Sequence, residues 1–385
     1  MGRSILHLID SLDPKAGGPV EFVRALAREH AGMGHRVCAA LLTWPDGPAP
    51  EGLEIVAAGR KEAYGGYGFR TGFVAWLRAE ARRHDAIFVH GLWQYHGAAA
   101  WLALSSRDTP YYLFPHGMLD PWFAGDRRRH LKKRLYWEAI EKQVTRGARA
   151  VLFTSEAEMA RAPQSFGAPW RRQELVELGI AEPAAEIEAQ REAFLGRFPQ
   201  LRGRRVVLFL GRLDRKKGCE LLVRAFASMN RPEWDLVLAG PCADAGYRAE
   251  LERMGCERVH YTGMLKGAEK WGAFRCAEVF ALPSHQENFG IAVAEALACN
   301  VPALVSTAVD THKRITEAGA GFAEADDLPG TLRLLERWMG LGASEREQMR
   351  AAAGQCFREH FHIRRTAVRM LSLLDDGLGN TGSKR

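Results

Sequence analysis

Two carboxylates, Glu287 and Glu295, bracket the short polar run Asn288-Phe289-Gly290. An apolar strand-like stretch, 279–283, precedes them, and apolar residues at helical spacing follow: Ile291, Ala294, Leu297 and Ala298. The order is strand, polar turn, helix. Such an order aims the unpaired N–H groups of a helix N-terminus at one point, and that point attracts phosphate. Asn288 has the side chain of a helix cap, and Gly290 lets a ligand approach the backbone closely. Two glutamates beside a phosphate cradle suit a ligand with hydroxyls to bind and a diphosphate to hold, as a sugar nucleotide has. A hydrolytic acid pair fits less well. If both residues lie on one helix, eight positions rise ~12 Å, whereas hydrolase carboxylates stand about 5–9.5 Å apart.

A second group of charges lies upstream. Gly211-Arg212 and Lys217-Gly218 follow the apolar run 206–210. Arginine offers phosphate a two-pronged fork and lysine a mobile point charge. The carboxyl end of a strand is where such ligands bind in open parallel sheets. A Walker loop is excluded, because no Ser or Thr follows a Gly-Lys pair. With Arg215 and Lys216 in the same turn, a merely solvated basic loop is the competing reading. Glu287 and Glu295 downstream tip the balance toward a site.

His116, in Phe114-Pro115-His116-Gly117, also stands just past a strand-like run. It has the chemistry to donate to a sugar hydroxyl, and equally that of a loop histidine with a local partner. Gly17-Gly18-Pro19 lies between the first strand and the first helix. Its amides suit a diphosphate or acceptor loop, while an ordinary strand–helix turn needs the same residues. It is not GxGxxG, so the dinucleotide fingerprint is absent. The segment 127–134 carries Arg127, Arg128, Arg129, Lys132, Lys133 and Arg134 among aromatic neighbours. It reads either as a patch for an anionic membrane surface or an acceptor phosphate, or as the solvated face of an amphipathic helix.

The elements that must position these residues alternate along the chain. Strand-like runs at 4–9, 36–42, 86–90, 111–114 and 151–154 are separated by helical patterns at 19–33, 73–83 and 98–104. The pattern weakens over 179–203, which reads as a connection with a surface helix. It then resumes with strands at 206–210, 235–239, 259–262, 279–282 and 303–306 and helices at 219–229 and 247–254. Alternation of this kind gives a parallel sheet covered by helices on both faces. With 385 residues, two such domains are expected.

Composition narrows the classes. A hydrophobic share of 47% and a charged share of 26% are those of a globular protein. Net charge is +7 and the pI about 9.1, yet no nucleic-acid module is recognisable and nucleic acid is not expected as a partner. Seven scattered cysteines form no CxxC pair, which fits a reduced, cytoplasmic chain without a zinc cluster. No signal peptide, myristoylation pattern or membrane-length apolar run stands out. Any work at a membrane is therefore expected from its inner surface.

Taken together, Gly17-Gly18, Pro115-His116-Gly117, Gly211-Arg212 with Lys217-Gly218, and Glu287-Asn288-Phe289-Gly290 with Glu295-Ala296 resemble the retaining family-four glycosyltransferases of GT-B fold. The resemblance runs over nearly the whole chain. The run 115–122 looks like bacterial members that build exopolysaccharide or O-antigen (lipopolysaccharide). The fold it implies is α/β, two Rossmann-like doubly wound domains facing an interdomain cleft. An acceptor domain at 1–185 would be completed by a C-terminal helix at 358–375 packing back on it. A donor domain would span 203–357, and 376–385 would form a disordered tail.

The resemblance also implies roles. Arg212 and Lys217 would neutralise the donor diphosphate, and Glu295 would hold the ribose hydroxyls. Glu287 would contact the donor sugar near the reacting carbon. Gly211 and the amides of Asn288, Phe289 and Gly290 would line the donor. His116 would support the donor sugar from the first domain, and Gly17-Gly18 would close over the diphosphate. The partners implied are a UDP- or GDP-linked sugar and a glycan or lipid-linked glycan acceptor. No metal or other cofactor is expected. A GT-B sugar-nucleotide epimerase, or a catalytically silent module at a membrane assembly, stays as the alternative. The chain departs from the family pattern at Asn300, where glycine is usual. Asparagine tolerates the left-handed backbone that ends a helix, so little harm to the fold is expected.

Overall fold

The structure is a computed structural model that describes residues 2–13, 18–43, 49–57, 66–105, 109–121 and 127–378, the side chains of 127–131 and 376–378 excepted. The chain divides into two compact units, one of Met1–Ile180 with Ile363–Arg385, the other of Ala181–His362.

The first unit is built on the strands β1 (Ser4–Ile9), β2 (Arg36–Leu41), β3 (Glu54–Ala57), β4 (Ala86–His90), β5 (Tyr111–Phe114), β6 (Ala150–Phe153) and β7 (Gln173–Leu175). They form one parallel sheet in the order β3-β2-β1-β4-β5-β6-β7. Strands β4, β5 and β6 are buried at every position. That is why they read as unbroken apolar runs: helices cover both faces of such a sheet. The second unit carries β8 (Arg205–Leu210), β9 (Trp234–Ala239), β10 (Val259–Gly263), β11 (Ala277–Leu282), β12 (Ala303–Ser306) and β13 (Gly321–Glu324), all parallel, in the order β10-β9-β8-β11-β12-β13. Both sheets are doubly wound. In each, strand order reverses beside the unit's first strand, between β1 and β4 and between β8 and β11, and ligands of such sheets bind beyond the strand ends at that reversal.

Three boundaries differ from the sequence reading. The segment 179–203 is not a connection bearing a surface helix. Its helix Ile187–Arg197 packs on Gly267–Cys276 so closely that a Cβ on Gly272 would stand 1.9 Å from the Gln190 carbonyl oxygen. Phe194 is fully buried there, so this helix belongs to the second unit. The returning helix does not begin at 358. Residues Phe357–Phe361 form a π-helical turn of the second unit, extended backbone at His362 breaks the helix, and Ile363–Leu378 then enters the first unit. This helix runs three residues into the stretch expected as a disordered tail, and 379–385 lie outside the described residues. Its attachment is specific. The Ile363 amide donates to the Ile180 carbonyl at 2.9 Å and Thr366 Oγ1 to that of Glu177 at 2.7 Å. Ala367, Met370, Leu373 and Leu374 are buried. Among the described residues, no helix is long and apolar enough to cross a membrane.

Candidate functional site

The second sheet places its charges at its own reversal point. Strand β8 ends at Leu210 and delivers Gly211, Arg212 and Lys217; β11 ends at Leu282 and delivers Ser284, His285 and Glu287. The two loops are sewn together. The Lys216 carbonyl accepts from the His285 amide at 2.8 Å and from Ser284 Oγ at 2.9 Å. Gly218 makes this approach possible: a Cβ there would lie 2.1 Å from the Pro283 carbonyl oxygen, and its φ is +63°. Lys217 Nζ is thereby brought onto Glu287 Oε2 as an ion pair, with each side chain about one-fifth exposed. The Arg212 guanidinium is exposed, 3.9 Å from Asp214 Oδ2. His285 bridges outward, Nδ1 lying 2.9 Å from Asp326 Oδ2.

Glu287 lies in the turn before the helix that carries Glu295, so the ~12 Å helical spacing does not apply to the pair. Its backbone pairs as an isolated bridge with Val309, its amide donating to Ala308 O at 3.1 Å and its carbonyl accepting from Asp310 at 2.9 Å. Glu295 sits inside the helix Ile291–Ala298, buried, its carboxylate ion-paired with Lys270 of the helix Gly267–Cys276. A hydrolytic pair straddling one bond is poorly served by two carboxylates that each already hold a separate lysine. Asn288 is not the helix cap either. Gly290 occupies that position at φ +74°, because the chain must turn left-handed to enter the helix. The Asn288 side chain instead accepts from Gln286 Nε2 at 3.1 Å. Phe289 is buried against Phe361, ring centroids 5.6 Å apart. The turn is therefore anchored from below by an aromatic contact, leaving its polar residues for the site.

The first unit holds His116 and Gly18. Gly18 opens the helix Gly18–Gly32, and Gly17 lies outside the described residues. His116 follows β5 at φ +51°, a conformation rare for a non-glycine residue. It is half-buried, and its Nε2 lies 3.0 Å from His90 Nδ1. His90, the last residue of β4, in turn places Nε2 2.9 Å from Nδ1 of His7 in β1. Burial pushes His116 and His7 down to about 3, His30 adding to the effect on His7, and it holds His90 well below the ordinary imidazole range. All three rings are neutral at physiological pH. The same strand end carries a buried carboxyl. Glu141 accepts the Trp93 amide at 2.6 Å, and burial, opposed by that hydrogen bond, raises it to about 7.

The structure thus gathers Gly211, Arg212, Lys217 and Glu287 at one reversal point, with Asn288, Phe289, Gly290 and Glu295 on the adjoining turn and helix. It assigns His116 to the other unit. Sequence reading missed Lys270, His7 and His90. Lys270 pairs across 25 positions and gives no local signal. The two histidines do: His7 interrupts an apolar strand and His90 ends one, and a polar residue on a fully buried strand needs a partner. In the basic segment, Lys133 Nζ stands 5.2 Å over the Trp93 ring and Leu135 is exposed. A surface depression of about 760 Å³ in the second unit, lined by Phe322, Arg337 and Met349 among others, includes none of the site residues.

Residues 192–353 match the family model Glycosyl transferases group 1, and residues 17–179 match the Glycosyl transferase 4-like domain. Each match falls within one unit. The chain is 27% identical over 277 residues to the D-inositol 3-phosphate glycosyltransferase of Kineococcus radiotolerans, covering 64% of this chain and 60% of that protein. It is 27% identical over 270 residues to the enzyme of that name from Xylanimonas cellulosilytica, covering 66% and 62%. The chain thus spans about three fifths of the length of these curated relatives. Among solved structures, sucrose-phosphate synthase from Thermosynechococcus elongatus superposes with a TM-score of 0.75 at 21% identity, covering 98% of this chain and 99% of that one. Anabaena HepE in complex with UDP and glucose superposes with a TM-score of 0.74 at 17% identity, covering 97% and 100%.

Proposed function

Because the chain belongs to the family-four glycosyltransferases of GT-B fold, we propose that it moves a hexosyl group from a nucleoside-diphosphate sugar to a glycan acceptor, lipid-linked at the inner membrane surface, with retention at the anomeric carbon and without a metal ion. The observation that carries this reading is the Lys217–Glu287 pair at the reversal point of the second sheet, with Arg212 beside it.

In this reading Arg212 and Lys217 hold the donor diphosphate. The bond from the anomeric carbon to the diphosphate breaks, the acceptor oxygen bonds that carbon, and the acceptor's proton passes to the released diphosphate or to solvent. Negative charge builds on the leaving oxygen, and preorganised cations lower the barrier most where charge develops. Lys217 already sits against a carboxylate, so its position is set before the donor arrives. Glu287 then faces the donor sugar and Glu295, fixed by Lys270, the ribose. His116 supports the donor sugar, and Asn288 to Gly290 offer backbone amides. Solved HepE in complex with UDP and glucose supports a UDP-linked donor. The names of the curated relatives favour a second acceptor class, a phosphorylated inositol.

The deciding experiment incubates the purified protein with UDP- and GDP-sugars, with and without EDTA, against a lipid-linked glycan fraction and inositol 3-phosphate, reading the product's anomeric configuration by NMR. A single donor, EDTA-insensitive transfer and a retained α-linkage from an α-donor are expected. Inversion would overturn the retaining assignment, and epimerised donor without transfer would favour the epimerase.

A further inference from the structure

The row His7, His90, His116 joins the middle of β1, the end of β4 and the loop after β5 through two imidazole–imidazole hydrogen bonds, 2.9 and 3.0 Å long. His7 and His90 are buried, and the rings of His90 and His116 stack on Phe114 with centroids 5.3 and 5.4 Å away. A neutral imidazole has one donor and one acceptor. The middle ring must therefore donate on one side and accept on the other, and the two bonds must run in the same direction. Only two arrangements remain.

If the protons run inward, His116 donates to His90, His90 donates to His7, and the Nε2–H of His7 is left as a donor. That atom is buried without a partner among the described residues. If they run outward, His7 Nδ1–H donates to His90 Nε2 and His90 Nδ1–H donates to His116 Nε2. His7 Nε2 is then a bare lone pair, and the spare proton emerges on Nδ1 of half-buried His116. An orphaned buried N–H is the rarer defect, so the outward arrangement wins. The groups facing the row are neutral or distant in effect. His96 donates its Nε2–H to the His90 carbonyl at 2.9 Å, His30 acts on His7, and Asp10 acts on His96. None is a carboxylate bonded to the row, which leaves the middle ring no counter-ion for a second proton.

We propose that His7 and His90 are positioning residues that fix His116 as its neutral Nδ1–H tautomer, so that His116 is a one-way hydrogen-bond donor to an oxygen of the donor's glycosyl group and not a base. This rests on the reading of His116 as a contact to the donor sugar. The left-handed backbone at His116 supports it, since strain of that kind is kept where a side chain must be aimed. A neutral donor also gives the site an interaction that survives changes in pH, because no proton binds or leaves in the working range.

The test begins with the free full-length protein, labelled with 15N-histidine, in long-range 1H–15N spectra at pH 7. His90 and His116 are expected as Nδ1–H, Nε2-bare rings. An Nε2–H tautomer at His116 overturns the proposal, whatever the activity. The second arm compares His7→Leu with His7→Asn, whose amide can still donate to His90. His7→Leu is expected to mix the His116 tautomers, to lower kcat/KM about tenfold, and to introduce a pH dependence near the ordinary imidazole range that wild type lacks. His7→Asn is expected to restore the single tautomer and the flat profile. A flat profile in His7→Leu with mixed tautomers would overturn the donor role. Should His7→Leu fail to fold, the wild-type spectrum alone decides the tautomer. A correct tautomer in a protein that transfers from no nucleotide sugar keeps the relay and overturns the glycosyltransferase reading instead.

Discussion

At the reversal point of the second sheet the polar side chains are ions held in pairs, Lys217 with Glu287, and Lys270 with Glu295 on the neighbouring helix. At the reversal point of the first they are imidazoles that share protons end to end, His7, His90 and His116, all held neutral by burial. One topology therefore carries two electrostatic designs. The difference teaches what each strand end can offer an oxygen-rich ligand. Paired ions give a strong interaction that depends on salt and on the partner carboxylate, because a ligand anion must share the cation. A neutral relay gives a weaker interaction that needs no counter-ion and has a fixed direction.

The largest expected effect lies on the ionic side. Lys217→Ala and Arg212→Ala should each lower kcat by about 10²–10³ while leaving a folded protein, the magnitude seen when one group that stabilises developing charge is removed. Steady-state kinetics with circular dichroism checks this. Near-normal turnover in both variants would break the comparison at its stronger end.

The neutral side is sharpened by pH. His7 and His116 are held near 3 and His30 near 4, against 6.5 when unfolded. Their folded values are depressed, so the stability they contribute is present above 6.5 and is lost as pH falls toward 4 and 3. Glu141, raised to about 7 from 4.5, acts in the opposite direction between those values. The depressed imidazoles, with His90 among them, outweigh this one carboxyl, so the net effect on the first unit is a loss of stability as pH falls through 5. Hydrogen exchange resolved by mass spectrometry should therefore show the first unit opening more readily at pH 5 than at pH 7, with a smaller change in the second. Equal changes in both would show that the imidazoles do not set the difference.

The smallest effect concerns Asn300, which ends the helix Ile291–Ala298 at φ +57° with its Oδ1 against the helix bearing Gly354. Asn300→Ala should cost about 1–2 kcal/mol for a left-handed backbone, whereas Asn300→Gly should stay near wild type. Urea unfolding measures both. A loss of transfer with intact stability would place this residue in the site after all.

How far the sequence reveals this molecule depends on whether an element's signal is local. Strands β4, β5, β6, β8, β9 and β11 are apolar runs and are legible as such. Strands β3 and β7 are not: Glu54–Ala57 and Gln173–Leu175 are short, partly exposed edge strands with too few apolar positions to set a period. Arg212, Lys217 and Glu287 of the second unit were legible because each lies in a loop just past a strand. Their pairing was not, since Lys217 meets Glu287 across 70 positions. The cap was misassigned for a physical reason. Asparagine is the better cap by side chain, but the chain enters the helix two residues later, where only a left-handed glycine makes the turn. The pairing of the imidazoles into a row had no sequence signal, because sheet order, not sequence order, sets β4 beside β1.

The helix Ile363–Leu378 has a consequence for how the protein is made. The second unit is one continuous stretch, Ala181–His362, and can close as soon as it leaves the ribosome. The first unit is interrupted by it, and its closing segment is synthesised only after that stretch. Until Ala367, Met370, Leu373 and Leu374 arrive, the apolar surface they bury has no cover. At about 5–20 residues per second, translating the intervening stretch takes roughly 10–40 s. The half that begins first thus finishes last, and a nascent chain spends that interval with an unfinished core that a chaperone can recognise and a premature stop codon would make permanent.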